Sequence, residues 1–359
     1  MSSEKVAKSS LMVIQMSCSI SSIKNSCCNC YPVRKINELL TWISIRIEKC
    51  VLSILRKNFY FGYDALTPTI ANDRKNNLIN NHEAREIPCQ NAHGVGIDTL
   101  YIPSTHANRT GNVIVFAETT SYQDRLDHGL PSKYKHFLDR GAAIVLWNPT
   151  QLESKQYAQD LLAVLKKLKE QNPDQKITVK GHCATVEPAI SAAADLSQEL
   201  NTDSISLILD RGYADTFAFA RSFTFLSKLP CIRRTIQNHF SCDGLQKLRT
   251  FPGKIIFIAP QDPKADQITY WAHKNLTYEM HALRAHLGFY NDAFVKLGKA
   301  SDHWSSWNAD EYNQIDAELL KVQTVVANYL EIGSEAHPNR LPLTCFKKTC
   351  LPILSKAWC

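Results

Sequence analysis

Between residues 85 and 335, the chain alternates short apolar runs with longer segments of helical periodicity. Residues 113–117 (VIVFA) and 142–147 (AAIVLW) are uninterrupted apolar runs, which are typical of strands buried on both faces of a sheet. The predicted strands are Glu86–Gln90, Gly96–Pro103, Asn112–Ala117, Ala142–Trp147, Lys176–Lys180, Ser204–Leu209, Lys254–Ala259 and Ala293–Leu297. The predicted helices are Lys133–Asp139, Gln156–Gln171, Val186–Leu200 and Tyr312–Ile332. Strands that alternate with helices predict an α/β protein with a mostly parallel sheet and helices on both of its faces.

A further helical pattern precedes this part of the chain, between Lys35 and Lys57. Its apolar residues recur at steps of three or four, and basic residues occupy other faces. A basic amphipathic helix of this kind suits an anionic membrane surface, through apolar burial and charge attraction. Packing of the same apolar stripe on the following domain is an equally good explanation, so both readings stay open.

Charge and cysteine are concentrated at the two ends of the 359-residue chain, whose net charge is +7. Residues 1–60 carry a net charge of +6 and residues 336–359 carry +4, so residues 61–335 carry −3. Eight of the twelve cysteines lie in the ends. Twelve cysteines in a chain of this length are too few for a secreted disulfide framework. Cysteines beside an amphipathic helix are instead suited to acylation. We therefore predict a basic extension (1–60), a globular domain (61–335) and a basic tail (336–359) in a cytoplasmic or peripheral membrane protein.

The sequence argues against several other classes of function. No run of 18 or more apolar residues occurs, so no membrane-spanning helix is predicted. Basic and aromatic residues form no groove pattern that would indicate nucleic-acid binding. Cysteines 27, 28 and 30 lack CxxC spacing and a nearby histidine, so neither a zinc site nor another metal or cofactor is expected. The oligomeric state is left open.

The segment Gly181–Thr185 (GHCAT) lies between a predicted buried strand and a predicted helix. A turn this tight requires small residues and gives its central residue a strained backbone. That residue then lies at a helix N-terminus, which favours a thiolate and supplies N–H donors for an oxyanion. The segment resembles the nucleophile elbow of α/β-hydrolases, with Cys183 in the nucleophile position. The resemblance covers residues 85–332 and implies the α/β-hydrolase fold.

The resemblance also implies a catalytic triad whose members follow the chain order nucleophile, acid, histidine. Asp262, just after the strand Lys254–Ala259, is the expected acid. Asp266 and Asp210 are the alternatives. His303 follows the last strand and precedes the closing helix, where the family keeps its general base. A Cys-His-Asp triad is therefore expected.

The oxyanion hole of this family uses two backbone N–H groups. One belongs to the residue after the nucleophile, here Ala184, and the other to the loop after the strand Asn112–Ala117. That loop reads AETT where the family often carries His-Gly, so Thr119 is the first candidate and Glu118 the next. The missing His-Gly, the cysteine nucleophile and Thr185 in place of a commoner glycine are departures from the family pattern.

Residues 212–252 form an aromatic and basic insertion at the place where the family commonly has a lid. An apolar lid suits an acyl chain or a lipid, but packing against the sheet would account for the same residues. A cysteine nucleophile on this fold is similar to that of dienelactone hydrolases and polyhydroxyalkanoate synthases. The segments GHCA and LDRGYAD look like those of α/β-hydrolase-like effectors of intracellular bacteria such as Legionella, which implies translocation into a host cell.

The predicted function is hydrolysis of an ester or thioester, of the esterase, lipase or thioesterase type, with acyl transfer as an extension. The expected substrate is a small acyl compound or a lipid. The alternative is a catalytically weak or inactive hydrolase fold that acts as a membrane-associated interaction protein. The departures in the oxyanion loop favour this alternative, whereas the preserved order of nucleophile, acid and histidine disfavours it.

Overall fold

A computed structural model describes residues 68–104, 111–126, 129–151, 153–214, 216, 230–262, 276–298 and 307–319. The strands are β1 (Arg85–Glu86), β2 (Cys89–Gln90), β3 (Gly96–Ile97), β4 (Thr99–Ile102), β5 (Asn112–Ala117), β6 (Ala143–Trp147), β7 (Lys176–His182), β8 (Ile205–Asp210), β9 (Ile255–Pro260) and β10 (Ala293–Leu297). The helices are α1 (Pro68–His82), α2 (Ser132–Asp139), α3 (Ser154–Gln171), α4 (Val186–Leu200), α5 (Pro230–His239), α6 (Gly244–Thr250) and α7 (Leu276–His286).

Eight strands form one sheet in the order β1-β4-β6-β5-β7-β8-β9-β10, and β2 pairs with β3 separately. Strand β4 is antiparallel to both of its neighbours, whereas every pair from β6 to β10 is parallel. Helices connect the parallel strands, as a crossover connection requires. The antiparallel β4 and the exchange of β5 and β6 in the order are features of the α/β-hydrolase fold, so the predicted fold is confirmed.

The main hydrophobic core lies on the face of the sheet that α3 and α4 cover. Both helices pack against each other, and their apolar sides meet inward-facing residues of β5, β6, β7 and β8. All positions of β6, β8 and β9 are buried, because helices cover the sheet on both sides. This packing explains why these strands are continuous apolar runs in the sequence rather than alternating ones.

An aromatic layer covers the opposite face near the carboxyl ends of the strands. The Phe116 ring of β5 makes an edge contact with Tyr134 of α2, with ring centres 4.6 Å apart. Phe137, also on α2, contacts Trp307 and Tyr312 in the same way. The chain divides into two compact units, residues 1–315 and 316–359. The last residues of the first unit, 309–315, are helical. Of the second unit the structure describes residues 316–319, which are helical too.

The predicted lid region is described only in part. Residues 230–252 form α5 and α6, and α6 packs on α4 at the flank of the sheet. Residues 217–229 lie outside the described part, so the lid stays a prediction. The amphipathic helix Lys35–Lys57, the cysteine-rich extension and the basic tail also lie outside it, and with them the predicted membrane and host-cell location. Within the described ranges, no helix has the length and apolar character needed to cross a membrane.

Candidate active site

The turn after β7 has the backbone conformation that a nucleophile elbow requires. Strand β7 ends at His182, a 3-10 turn spans Cys183–Thr185, and α4 begins at Val186. Cys183 has a φ of +56°, in the left-handed region that residues with a side chain rarely adopt. The strained conformation expected at Cys183 from the sequence is therefore present.

Two glycines make this turn possible because other chain segments approach them closely. A Cβ atom on Gly181 would lie 3.0 Å from the Cα of Val186 and 3.1 Å from the Cβ of Ala189. A Cβ on Gly212, which follows β8, would lie 2.1 Å from a methyl carbon of Val186 and 2.7 Å from the carbonyl oxygen of Cys183. The segment after β8 is thus packed directly against the elbow.

Thr185, which departs from the commoner glycine, is fully buried and ties the elbow to β5. Its hydroxyl donates to the carbonyl oxygen of Ala117 at 2.7 Å and accepts the backbone N–H of His182 at 3.0 Å. Ala117 is the last residue of β5, directly before the predicted oxyanion loop. The departure therefore replaces glycine with a side chain that holds the nucleophile turn and this loop together.

Cys183 differs from the other cysteines whose side chains are described. Cys89 and Cys242 are buried, whereas Cys183 is partly exposed. Burial raises the pKa of the Cys89 thiol to about 11, and burial and the charge of Glu187 raise the pKa of Cys242 further. Both are inert core thiols at neutral pH, while Cys183 lies at the N-terminus of the 15-residue helix α4.

The loop after β5 carries a buried carboxylate that is held by two cations. Glu118 pairs with Lys133, and its other oxygen lies 3.0 Å from the guanidinium of Arg125. Burial alone would raise the pKa of Glu118, but the charges of Arg125, Lys133 and Lys180 hold it well below its usual range. The charge of Glu118 is thus engaged by these partners. Thr119, the preferred oxyanion residue, is buried beside it, and Ala184 is buried next to Cys183.

Asp210, an alternative acid, is paired with basic groups at the end of β8. Its register partner on β7 is His182, so it lies beside the elbow. Its two oxygens accept hydrogen bonds from two guanidinium nitrogens of Arg211, at 2.8 and 3.2 Å. The ammonium nitrogen of Lys180 lies 3.4 Å from one of these oxygens. Burial opposes ionisation, but these cations keep the pKa of Asp210 well below its usual range. This carboxylate is therefore ionised and committed to Lys180 and Arg211.

The remaining triad candidates lie beyond β9 and β10. Asp262 is exposed, two residues after the end of β9. The backbone N–H of Gln261 donates to the carbonyl oxygen of Leu297 at 2.9 Å, so the chain leaves β9 beside the end of β10. Asp266 and His303 lie outside the described residues, and the approach of His303 to Cys183 stays a prediction. Among the described residues, no group of three His, Cys, Asp or Glu side chains could hold a metal ion.

Several charged residues of this site were not singled out from the sequence, namely Arg125, Lys133, Lys180 and Arg211. Lys180 offered the clearest signal. It lies near the C-terminal end of an apolar strand, and a lysine there must be paired if the strand is buried. Arg211 stands directly after a buried strand and also has a positive φ, of +47°. The pairing that holds these residues connects separate strands and helices, so the sequence alone does not display it.

Comparisons with known proteins give structural neighbours only. No protein-family model matches the chain, and no curated protein matches it in sequence. An esterase from Pyrococcus furiosus is similar over 71% of this chain and 93% of its own, with 14% identity and a TM-score of 0.46. An esterase from the fungus Rhizomucor miehei is similar over 76% and 94%, with 12% identity and a TM-score of 0.47. The chain spans 41% of the acylaminoacyl peptidase from Pyrococcus horikoshii, over 67% of its own length, with 13% identity and a TM-score of 0.47. The fold assignment itself rests on the strand order and on the turn after β7.

Proposed function

We propose that the protein is an acyl hydrolase that cleaves ester or thioester bonds with Cys183 as the nucleophile. The observation that carries the proposal is the positive φ of Cys183 in a strand-to-helix turn of an α/β-hydrolase fold. A residue with a side chain persists in this conformation only where the surroundings impose it, and such strain is concentrated at functional sites. Partial exposure of the Cys183 thiol supports the same role.

The first half of the reaction forms a thioester. The sulfur of Cys183 attacks the acyl carbonyl carbon while His303 takes the thiol proton, and Asp262 orients the imidazole. The tetrahedral intermediate carries its negative charge on the former carbonyl oxygen. When this intermediate collapses, the bond to the leaving group breaks, and the leaving alcohol or thiol takes the proton from His303.

The second half releases the acyl group. Water attacks the thioester carbon while His303 accepts its proton, the carboxylic acid leaves, and the proton returns to Cys183. An acceptor alcohol in place of this water would give acyl transfer instead of hydrolysis. The oxyanion in both halves is held by the N–H groups of Ala184 and Thr119, in water-poor surroundings where such donors are effective. Thr185 supports this arrangement, because its hydroxyl connects the turn that carries Ala184 to the strand before Thr119.

The proposal is tested with p-nitrophenyl butyrate and a butyryl thioester as substrates. We expect the wild type to accumulate a butyryl adduct on Cys183 after an acid quench, as detected by peptide mass spectrometry. Cys183→Ala should lower kcat/KM by at least about 1,000-fold, the scale on which loss of a nucleophile acts. His303→Ala should have a comparable effect, since the two residues act as a unit.

The matched control is Cys89→Ala, which removes a buried thiol far from the elbow in sequence. It should retain hydrolysis and the adduct. Equal rates for the wild type and Cys183→Ala, or an adduct on any other residue, would contradict the role of Cys183.

A further inference from the structure

Two consecutive carbonyl groups at the end of β5 are each held by a hydroxyl group from another element. The Thr185 hydroxyl donates to the carbonyl oxygen of Ala117 at 2.7 Å, and both groups are buried. The Tyr157 hydroxyl donates to the carbonyl oxygen of Glu118 at 2.9 Å, and this hydrogen bond is buried as well. Each bond orients one peptide group. The second of these peptide groups joins Glu118 to Thr119 and carries the N–H that the proposed mechanism uses in the oxyanion hole.

The same two hydrogen bonds fix the directions of the N–H groups of these peptides. A peptide group is planar, and in its trans form the C=O and N–H bonds point in opposite directions. No cis peptide bond occurs among the described residues. The Ala117 carbonyl faces Thr185 in the elbow, so the N–H of Glu118 points away from Thr185. The Glu118 carbonyl faces Tyr157, so the N–H of Thr119 points away from α3. These directions favour Thr119 over Glu118 as the oxyanion donor.

Tyr157 is a rigid anchor because its ring is packed in the hydrophobic core. It lies in the first turn of α3 and is 1% exposed. Its ring makes an edge contact with that of Trp147 on β6, with ring centres 4.8 Å apart. Side chains in a close-packed core have little freedom to change rotamer, so the position of the Tyr157 hydroxyl is set by the fold.

The other contacts of this loop act on side chains rather than on the peptide group. The Glu118 carboxylate pairs with Arg125 and Lys133, and Arg125 also donates to the Thr120 hydroxyl at 2.9 Å. These contacts hold the loop in place, whereas the Tyr157 hydroxyl sets the orientation of the peptide plane itself. Orientation matters here, because an oxyanion donor is effective when it already points at the developing charge before the reaction begins.

We propose that Tyr157 is a positioning residue that orients the N–H of Thr119 for the oxyanion through its hydrogen bond to the Glu118 carbonyl. This inference rests on the proposed acyl hydrolysis. Tyr157 itself does not touch the substrate, and it acts through the peptide group between Glu118 and Thr119. Its hydroxyl also polarises this peptide group, which makes the N–H a stronger donor. Loss of the hydroxyl then weakens stabilisation of the tetrahedral intermediate and leaves the thiol of Cys183 as reactive as before.

The test compares two reactions of Cys183 in full-length Tyr157→Phe. Acylation by p-nitrophenyl butyrate passes through an oxyanion, whereas alkylation by iodoacetamide displaces iodide from a saturated carbon and forms none. Both products are quantified on Cys183 by peptide mass spectrometry after rapid quenching. We expect acylation to slow by at least about tenfold, a part of the roughly 100- to 1,000-fold that loss of a whole oxyanion donor costs. Alkylation should proceed at the wild-type rate, and kcat should fall with little change in KM.

Tyr101→Phe is the matched control. It also removes one tyrosine hydroxyl, from a half-buried residue of β4, and β6 separates this strand from β5. Both reactions of Cys183 should keep their wild-type rates in this variant. Equal acylation rates in Tyr157→Phe and Tyr101→Phe would overturn the inference. Equal slowing of acylation and alkylation in Tyr157→Phe would overturn it as well, because Tyr157 would then support the whole elbow rather than one donor.

A second variant, Thr119→Pro, decides if Tyr157→Phe does not fold. Proline has no N–H, so this substitution removes the donor that Tyr157 orients. Acylation of Cys183 should slow at least as much as expected for Tyr157→Phe, and alkylation should be unchanged. Acylation at the wild-type rate would overturn the inference alone. The absence of any acyl adduct on Cys183 in the wild type would instead contradict the proposed function, and this inference with it.

Discussion

Two side-chain-bearing residues, Cys183 and Arg211, adopt left-handed conformations at the ends of neighbouring strands. Each conformation costs on the order of 1–3 kcal/mol, so local contacts must impose it. At Cys183 these contacts are the hydrogen bonds of the Thr185 hydroxyl. At Arg211 they are a backbone bond of 2.9 Å to the carbonyl of Ile258 and the ion pair with Asp210. Together they fix the backbone on both sides of the elbow.

Gly212 is the residue whose substitution should disturb this arrangement most directly. We expect Gly212→Ala to destabilise the protein by about 1–3 kcal/mol, the usual cost of overpacking, because its Cβ would overlap Val186 and the Cys183 carbonyl. Hydrolysis should fall more steeply than stability, since the clash moves the elbow itself. Urea unfolding and kcat/KM on p-nitrophenyl butyrate measure the two effects.

Gly96→Ala is the control for Gly212→Ala, because nothing lies within 4 Å of the Cβ it would add. It should leave both stability and activity close to those of the wild type. A Gly212→Ala variant as stable and active as Gly96→Ala would show that the segment after β8 does not support the elbow.

At the residue scale, the sequence predicted the residue types of the elbow but not their support. The small residues around Cys183 followed from the steric demands of the turn. Thr185 counted as a departure because glycine is commoner at its position. Its supporting role was not visible in the sequence, since its partner Ala117 lies 68 residues away and the parallel pairing of β5 and β7 brings them together. The same holds for Lys133 and Glu118, which neighbouring elements bring into contact.

At the scale of elements, α4 combines two functions in its first turn. It places its N-terminus behind Cys183, and it carries Glu187, which is fully buried. The Glu187 carboxylate accepts the backbone N–H of Thr216 at 2.7 Å and that of Cys242 at 2.8 Å, and also the Thr216 hydroxyl. These donors lie on either side of the stretch 217–241. Glu187 therefore fastens both ends of the insertion to the helix that follows the nucleophile.

We expect Glu187→Gln to destabilise the protein by about 1–3 kcal/mol, because an amide nitrogen would face backbone donors and leave them unsatisfied. Hydrogen exchange at the amides of Thr216 and Cys242 should accelerate more than exchange in the strands. Urea unfolding and exchange mass spectrometry provide the readouts. Glu199→Gln, an exposed substitution on the same helix, should change neither. Unchanged exchange at both amides in Glu187→Gln would contradict the anchoring role.

The sequence predicted the elements with strong apolar patterns and missed weakly patterned helices. The six predicted strands from Asn112 onward agree with the structure to within one or two residues, and the first two predicted strands are each divided into two short ones. Helices α1, α5, α6 and α7 were not predicted. Leu78 is the only buried residue of α1, so its sequence carries little periodic signal. Helix α7 is held by Arg284, which is fully buried and bonds Asp292 and three backbone carbonyls.

At the scale of the whole molecule, net charge and local charge are unrelated. The middle of the chain is mildly acidic, yet four basic side chains contact Glu118 and Asp210 in the described part of its candidate site. The electrostatics of the site depend mainly on charges within a few ångströms, because water and salt screen more distant ones.

The two buried carboxylates predict a specific loss of stability in acid. Glu118 and Asp210 have pKa values well below the value of about 4 expected in the unfolded chain. Their stabilisation is fully present above about pH 4.5, and it is lost as the pH falls, because only the unfolded chain then takes up protons. We expect the free energy of unfolding from urea titrations to decrease by about 2–4 kcal/mol between pH 5 and pH 2.

Glu118→Gln should make this dependence on pH shallower, whereas Glu170→Gln, which alters an exposed carboxylate, should not. An unfolding free energy with the same pH dependence in the wild type and Glu118→Gln would contradict a depressed pKa at Glu118.

The sequence by itself determined the α/β layering, the strands of the central sheet and the position of the elbow, because burial on both faces and a tight turn restrict residue types locally. The tertiary structure decided the strand order, the role of Thr185, the anchoring of the insertion by Glu187 and the pairing of basic side chains with Glu118 and Asp210. Each of these depends on residues far apart in the chain that meet only when the strands pair and the helices pack. Local patterns report which residues are buried, whereas the identity of their partners is fixed by the topology of the fold.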